Sequence, residues 1–138
     1  MGNRLITLLL ITIAGYAGAA HAGRIAVIGT GDVAAALGPR FAENGHDVIY
    51  GSRRPESESA KALVQRTGRA ARAALPADAA ADADIIVMAV PAEVAVDVLI
   101  GLGDTAGKIV IDPSNAFEFT GDNLAYTTID SSMGELLQ

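Results

Sequence analysis

Residues 24–54 read RIAVIGTGDVAAALGPRFAENGHDVIYGSRR, and the order of apolar, glycine-rich and periodic stretches within them decides the fold. Arg24 to Ile28, apolar after its first residue, predicts a buried strand. Gly29-Thr30-Gly31 ends it. From Asp32 to Asn44 the spacing of Val33, Leu37 and Phe41 predicts a helix with those three on one face, bent at Pro39. Gly45 stands where a left-handed cap belongs. Asp47 to Tyr50 then predicts a second strand, leaving through Gly51-Ser52-Arg53-Arg54.

The same alternation continues downstream. Pro55 to Glu58 suits a first helical turn, with Ala60, Leu63, Val64 and Thr67 on one face and Gly68 at the end. The Ala/Asp-rich stretch 69–82 predicts a weak strand over 70–74 and a short helix after Pro76, with low complexity as the competing reading. Asp84 to Val90 is the clearest interior strand. Pro91 opens a helix to about Ile100 with Val94 and Val98 inward, and Lys108 to Asp112 is a last strand leading to Pro113-Ser114-Asn115. Strands alternating with helices at this spacing predict an α/β fold with a doubly wound parallel sheet.

Composition narrows the function. The chain has 138 residues, room for one domain and one sizeable core. Its net charge of −6 repels nucleic-acid phosphates. The absence of cysteine excludes disulfides, thiolate metal sites and a Cys nucleophile. Asp78, Asp82, Asp84 and Asp97 do not fall in a metal-ligand pattern. The partners expected are therefore a small-molecule cofactor or substrate, with a homodimer allowed, no nucleic acid and no stable membrane span.

Residues 1–22 differ from the rest. One positive charge at Arg4 precedes the apolar run from Leu5, and Ala20-His21-Ala22 fits an Ala-x-Ala cleavage site, the order of a secretory signal peptide. This predicts a periplasmic or secreted protein beginning at Gly23. An uncleaved membrane anchor, or a cytoplasmic chain with a misassigned start, is the alternative. Residues 23–115 are expected to form the nucleotide-binding domain, and residues 116–138 the start of a truncated C-terminal region.

Gly29-Thr30-Gly31-Asp32-Val33-Ala34 is the G-x-G-x-x-A form of the dinucleotide fingerprint. The first glycine turns the chain, the second lets backbone amides reach a pyrophosphate, and the last small residue lets helix and strand pack closely. The helix N-terminus adds free N–H groups for the anion. A tight turn without ligand is the bland alternative. At the end of the second strand, where NAD sites usually carry an acid for the ribose 2′-hydroxyl, stands Gly51 followed by Ser52, Arg53 and Arg54. Ser52 can donate to a 2′-phosphate, and Arg53 can clamp it bidentately. Arg54 can share its charge or stack on the adenine. NADP is the cofactor expected, against a reading of two solvated surface arginines.

Ile25 to Arg54 resembles the start of NADPH-dependent reductases of the deazaflavin coenzyme F420, and Asp112-Pro-Ser-Asn115 is similar to an Asp-x-Thr/Ser-Asn loop of related members. The resemblance runs from Gly23 to about Gln138. It implies that Thr30 and the glycines meet the pyrophosphate, that Ser52 and Arg53 meet the 2′-phosphate, and that Val90-Pro91 and Asn115 lie near the nicotinamide ribose. Ala34 departs from the more usual Gly, and no basic residue follows just beyond Arg54. Relatives continue into a deazaflavin-binding part. Here Ser132 and Glu135 predict a capping box opening a helix that the chain enters by one turn.

No catalytic residue is named by this reading. Hydride transfer between two bound cofactors needs proximity and orientation rather than a protein acid or base. His46 is expected at a surface turn, and Asp112, read as ending a central strand, as a structural residue of the loop to Asn115. Tyr126 lacks the Lys four residues on that a short-chain dehydrogenase requires. Three functions stay open: an NADP-linked oxidoreductase with a deazaflavin or other small acceptor, a non-catalytic exported dinucleotide-binding module, and a domain for S-adenosylmethionine, which Gly51 disfavours.

Overall fold

The computed structural model describes residues 23–114, 117–120, 123–126 and 132–138. Residues 1–22 and Asn115, with the expectations placed on them, lie outside that set. The elements run β1 (Arg24–Ile28), α1 (Asp32–Glu43), β2 (Asp47–Gly51), α2 (Glu58–Thr67), β3 (Arg72–Ala74), α3 (Pro76–Ala81), β4 (Ile85–Met88), α4 (Ala92–Gly101) and β5 (Ile109–Ile111). Then come β6 (Phe117–Thr120), β7 (Asn123–Tyr126) and α5 (Met133–Leu136). β1 to β5 form one parallel sheet in the order β3-β2-β1-β4-β5. The doubly wound α/β architecture is present. β6 and β7 pair separately as an antiparallel hairpin.

Alternate residues of a strand point to opposite faces, and here both faces are covered. Ile25, Val27, Val48, Tyr50 and Val87 pack with Ala34, Ala42 and Leu63 of α1 and α2. Ala26, Ile28, Ile49, Ile86 and Met88 pack with Ala79 and Ala80 of α3 and with Leu102. That double burial is why the strands read as unbroken apolar runs.

Four expectations are corrected. The innermost stripe of α1 is Ala34, Gly38 and Ala42, while Val33 is 45% exposed. Leu37 and Phe41 flank the core rather than fill it. The helix lies so close to the sheet that only small side chains fit between. In α4, likewise, Ala95 is buried, Val98 flanks the core and Val94 is left half-exposed. α2 begins at Glu58, not Pro55, because Ser57 caps it by accepting the Ala60 N–H at 3.4 Å. β5 is an edge strand of the described sheet, so Asp112 does not end a central one. Its carboxylate accepts both the backbone N–H and the hydroxyl of Ser114, each at 3.0 Å, which shapes the loop after the strand.

Candidate functional site

In the order β3-β2-β1-β4-β5, the chain winds to one side of β1 and then crosses to the other. The carboxyl ends of β1 and β4 therefore diverge into a crevice. Gly29 closes its floor. With φ +123 it takes a backbone conformation that favours glycine, and its N–H donates to Gly51 O at 2.9 Å. A Cβ there would strike the carbonyl oxygen of Ala89. The turn after β1 is thus wedged between the ends of β2 and β4, where no side chain fits.

Gly31 follows as the N-terminal cap of α1, with no side-chain hydrogen bond to the helix amides. A Cβ at Gly31 would meet nothing within 4 Å. Ala35 N–H, bonded to Gly31 O at 2.9 Å, opens the helical ladder, so the amides of the preceding turn are unspent. Bare backbone beside free N–H groups is what a phosphate needs for close approach.

The second wall comes from the end of β2. Gly51 is buried, and a Cβ on it would lie 2.7 Å from Ile28 Cδ1 and 3.2 Å from Pro76 Cα. Ser52, 9% exposed, extends the ladder through its N–H to Ala74 O at 2.9 Å. Its hydroxyl oxygen accepts Arg54 N–H at 3.2 Å and so bends the chain outward. Arg53 and Arg54 are exposed, and among the described residues neither pairs with a carboxylate.

These walls enclose a cleft of about 570 Å³. Gly29, Thr30, Gly31, Ser52, Arg53, Arg54, Val90 and Pro91 all line it. Asp32 and Val33 do not; they sit exposed in the first turn of α1. Sequence reasoning missed Ser57, Ser59, Pro76 and Val98 as lining residues and placed Val94 in the core. The capping position of Ser57, three residues before Ala60, was the available signal. Among the described residues the lining contains two guanidinium groups and no carboxylate. In a chain of net charge −6 this is a local cationic pocket.

Other polar groups stand away from the cleft. His46 Nδ1 donates to Gly23 O at 3.0 Å, and its ring meets Phe41 edge-on at 6.4 Å, so it ties the starts of β1 and β2 together. Burial raises the Tyr50 phenol above its ordinary value, partly offset by its hydrogen bond to Thr67 and by Arg66. Among the described residues no group of His, Cys, Asp or Glu is placed to hold a metal ion. No described helix is long and apolar enough to cross a membrane.

Comparison with known proteins adds four findings. The profile of the family described as NADP oxidoreductase, coenzyme F420-dependent, matches residues 24–116. A curated F420-dependent NADP reductase of Methanothermobacter thermautotrophicus is 40% identical over 96 residues, covering 64% of this chain and 41% of that protein. A crystal structure of a candidate F420-dependent NADP-reductase from Arthrobacter sp. FB24 superposes with a TM-score of 0.73 at 29% identity. That match covers 84% of this chain and 57% of the other. A hypothetical protein of Sinorhizobium meliloti follows, with a TM-score of 0.62 and 30% identity over 83% of this chain and 56% of its own. The chain thus spans about two fifths of the curated relative's length.

Proposed function

This chain belongs to the coenzyme F420-dependent NADP oxidoreductase family, and from that premise we propose that its cleft binds NADP(H) for hydride exchange with a deazaflavin or another small acceptor. The observation that carries the cofactor reading is the end of β2. Gly51 stands where an acid would select NAD, and Ser52, Arg53 and Arg54 follow with both guanidinium groups unpaired among the described residues. The residues present fit a doubly phosphorylated adenosine. Gly31 leaves open space over its backbone, and among the described residues the walls carry cations without a competing carboxylate.

Bound NADPH supplies the hydride. The residues of this chain bind and orient it. The turn Gly29-Thr30-Gly31, at the amino end of α1, would hold the pyrophosphate. Ser52 and Arg53 would hold the 2′-phosphate, with Arg54 beside them. Val90 and Pro91, on the opposite wall, would border the nicotinamide ribose and exclude water from it. Among the described residues no His, Asp, Glu, Lys or Tyr lines the cleft, and what those residues offer a bound cofactor is proximity and orientation.

Calorimetric titration with NADP and NAD tests the cofactor reading. Tighter binding of NADP, lost in Arg53→Glu, supports it, and equal affinity for both overturns it. Transfer to F420 is then measured by its absorbance change with NADPH. That no acid or base among the described residues lines the cleft also suits a second reading, a non-catalytic dinucleotide-binding module. Binding without turnover to any added acceptor would favour that. Residues 1–22 are proposed to be an export signal. N-terminal sequencing of protein from its own cell would find Gly23 first if so, and Met1 or Gly2 if not.

A further inference from the structure

The stretch Glu56-Ser57-Glu58-Ser59 alternates acid and hydroxyl, and the fold sorts the two kinds. Glu56 Oε2 and Glu58 Oε1 lie 3.9 and 3.6 Å from Lys61 Nζ, and neither glutamate lines the cleft. Ser57 and Ser59 both line it, together with Arg53 and Arg54. The loop holding them is braced, since Ser57 N–H donates to Arg54 O at 3.0 Å and Arg54 N–H to Ser52 Oγ at 3.2 Å.

The hydroxyls have a proton to spare. Ser57 Oγ lies 3.2 Å from Ser59 Oγ and accepts Ala60 N–H at 3.4 Å. Two hydroxyl hydrogens serve one bridge between two oxygens, so one remains to be donated into the cleft. Beyond Arg54 no further Lys or Arg among the described residues lines it.

We propose that Ser57 and Ser59 complete the seat of the cofactor's 2′-phosphate and help set the preference for NADP over NAD. This rests on the cleft being the NADP site. The two arginines supply charge from long, mobile side chains. The serines are short and sit at a capped helix start, so they fix where the phosphate oxygens lie. A phosphate offers three oxygens to such donors, whereas the ribose hydroxyl of NAD offers one.

The test is titration of the full chain with NADP and NAD in wild type, Ser59→Ala and Ser57→Asp. Ser59→Ala leaves the cap intact, and Asp caps a helix as well as Ser does, so thermal melting should find both variants folded. Ser59→Ala is expected to weaken NADP about three- to tenfold, and Ser57→Asp, which sets a carboxylate against the phosphate, by more than about tenfold, with NAD unaffected. Unchanged NADP affinity in both variants, in a protein whose wild type prefers NADP, overturns the role of the serines alone. A wild type that does not prefer NADP overturns this inference together with the reading beneath it.

Discussion

The Tyr50 ring occupies the space a side chain at Gly38 would need: a Cβ there would lie 2.6 Å from Tyr50 Cζ and 2.8 Å from Cε1, and closer still to the hydroxyl. Tyr50 is fully buried at the centre of the sheet face under α1. The missing side chain is what lets the first helix lie against the strands and aim its amino end into the cleft.

Gly38→Ala is therefore expected to destabilise the protein, although alanine ordinarily strengthens a helix. Overpacking costs about 1–3 kcal/mol, against about 1 kcal/mol of gained helix propensity, and the closeness of the overlap puts the net loss at the upper end. Denaturant titration of the variant against wild type measures it. Equal or higher stability would show that Tyr50 moves aside freely.

Stability should also fall at high pH through Tyr50. Its hydroxyl lies 2.6 Å from Thr67 Oγ1, which itself donates to Leu63 O at 2.9 Å, so in the neutral state the phenol is the donor. Burial raises its pKa above the ordinary 10.0. The folded state thus favours the protonated phenol. Its contribution is fully present below the unfolded value and is lost as pH rises through the folded one. Urea midpoints of wild type should drop more steeply than those of Tyr50→Phe as pH rises past about 10. Parallel curves would exclude the effect.

Gly51→Asp should not convert the protein to NAD use. The added side chain must displace Ile28 Cδ1 and press on the Pro76 backbone. Its charge would face the phosphate site and weaken NADP by about a hundredfold or more. NAD affinity should stay low, and thermal stability should decline. A folded variant that binds NAD tightly would refute the steric part of this expectation.

The selectivity for NADP should depend on salt. Arg53 and Arg54 are exposed, so their attraction to a 2′-phosphate is screened by ions, whereas backbone amide contacts common to both cofactors are less so. The ratio of NADP to NAD affinity should shrink as salt rises from about 0.05 M to about 0.5 M, and shrink further in Arg53→Ala and Arg54→Ala. A salt-independent ratio would place selectivity outside the two arginines.

Much of the fold was legible because its signals are local. Ile25–Ile28 and Ile85–Met88 announce themselves as strands, since a strand covered on both faces must be apolar at every position. Gly45 and Gly68, at φ +96 and +66, and the Ser132–Glu135 capping box, with bonds of 3.0 and 3.1 Å, act within a few residues of themselves. The hairpin of β6 and β7 was missed, although Phe117-Glu-Phe-Thr and Asn123-Leu-Ala-Tyr flank a Gly-Asp pair of the kind that joins two strands.

By itself the sequence determined the alternation of strands and helices, the glycine turn after β1 and the cationic exit of β2, because each depends on neighbours along the chain. Tertiary structure decided how the stripe of α1 continues from Ala34 through Gly38 and Ala42, and which of four alternating residues enter the cleft. Helix periodicity places Val33, Leu37 and Phe41 on one face, but the Tyr50 ring leaves room only for the bare Cα of Gly38, so the face of Ala34, Gly38 and Ala42 meets the sheet. Likewise Ser57 and Ser59 line the cleft because the end of β2 and the start of α2 are folded against the turn after β1, a juxtaposition the order of residues does not state.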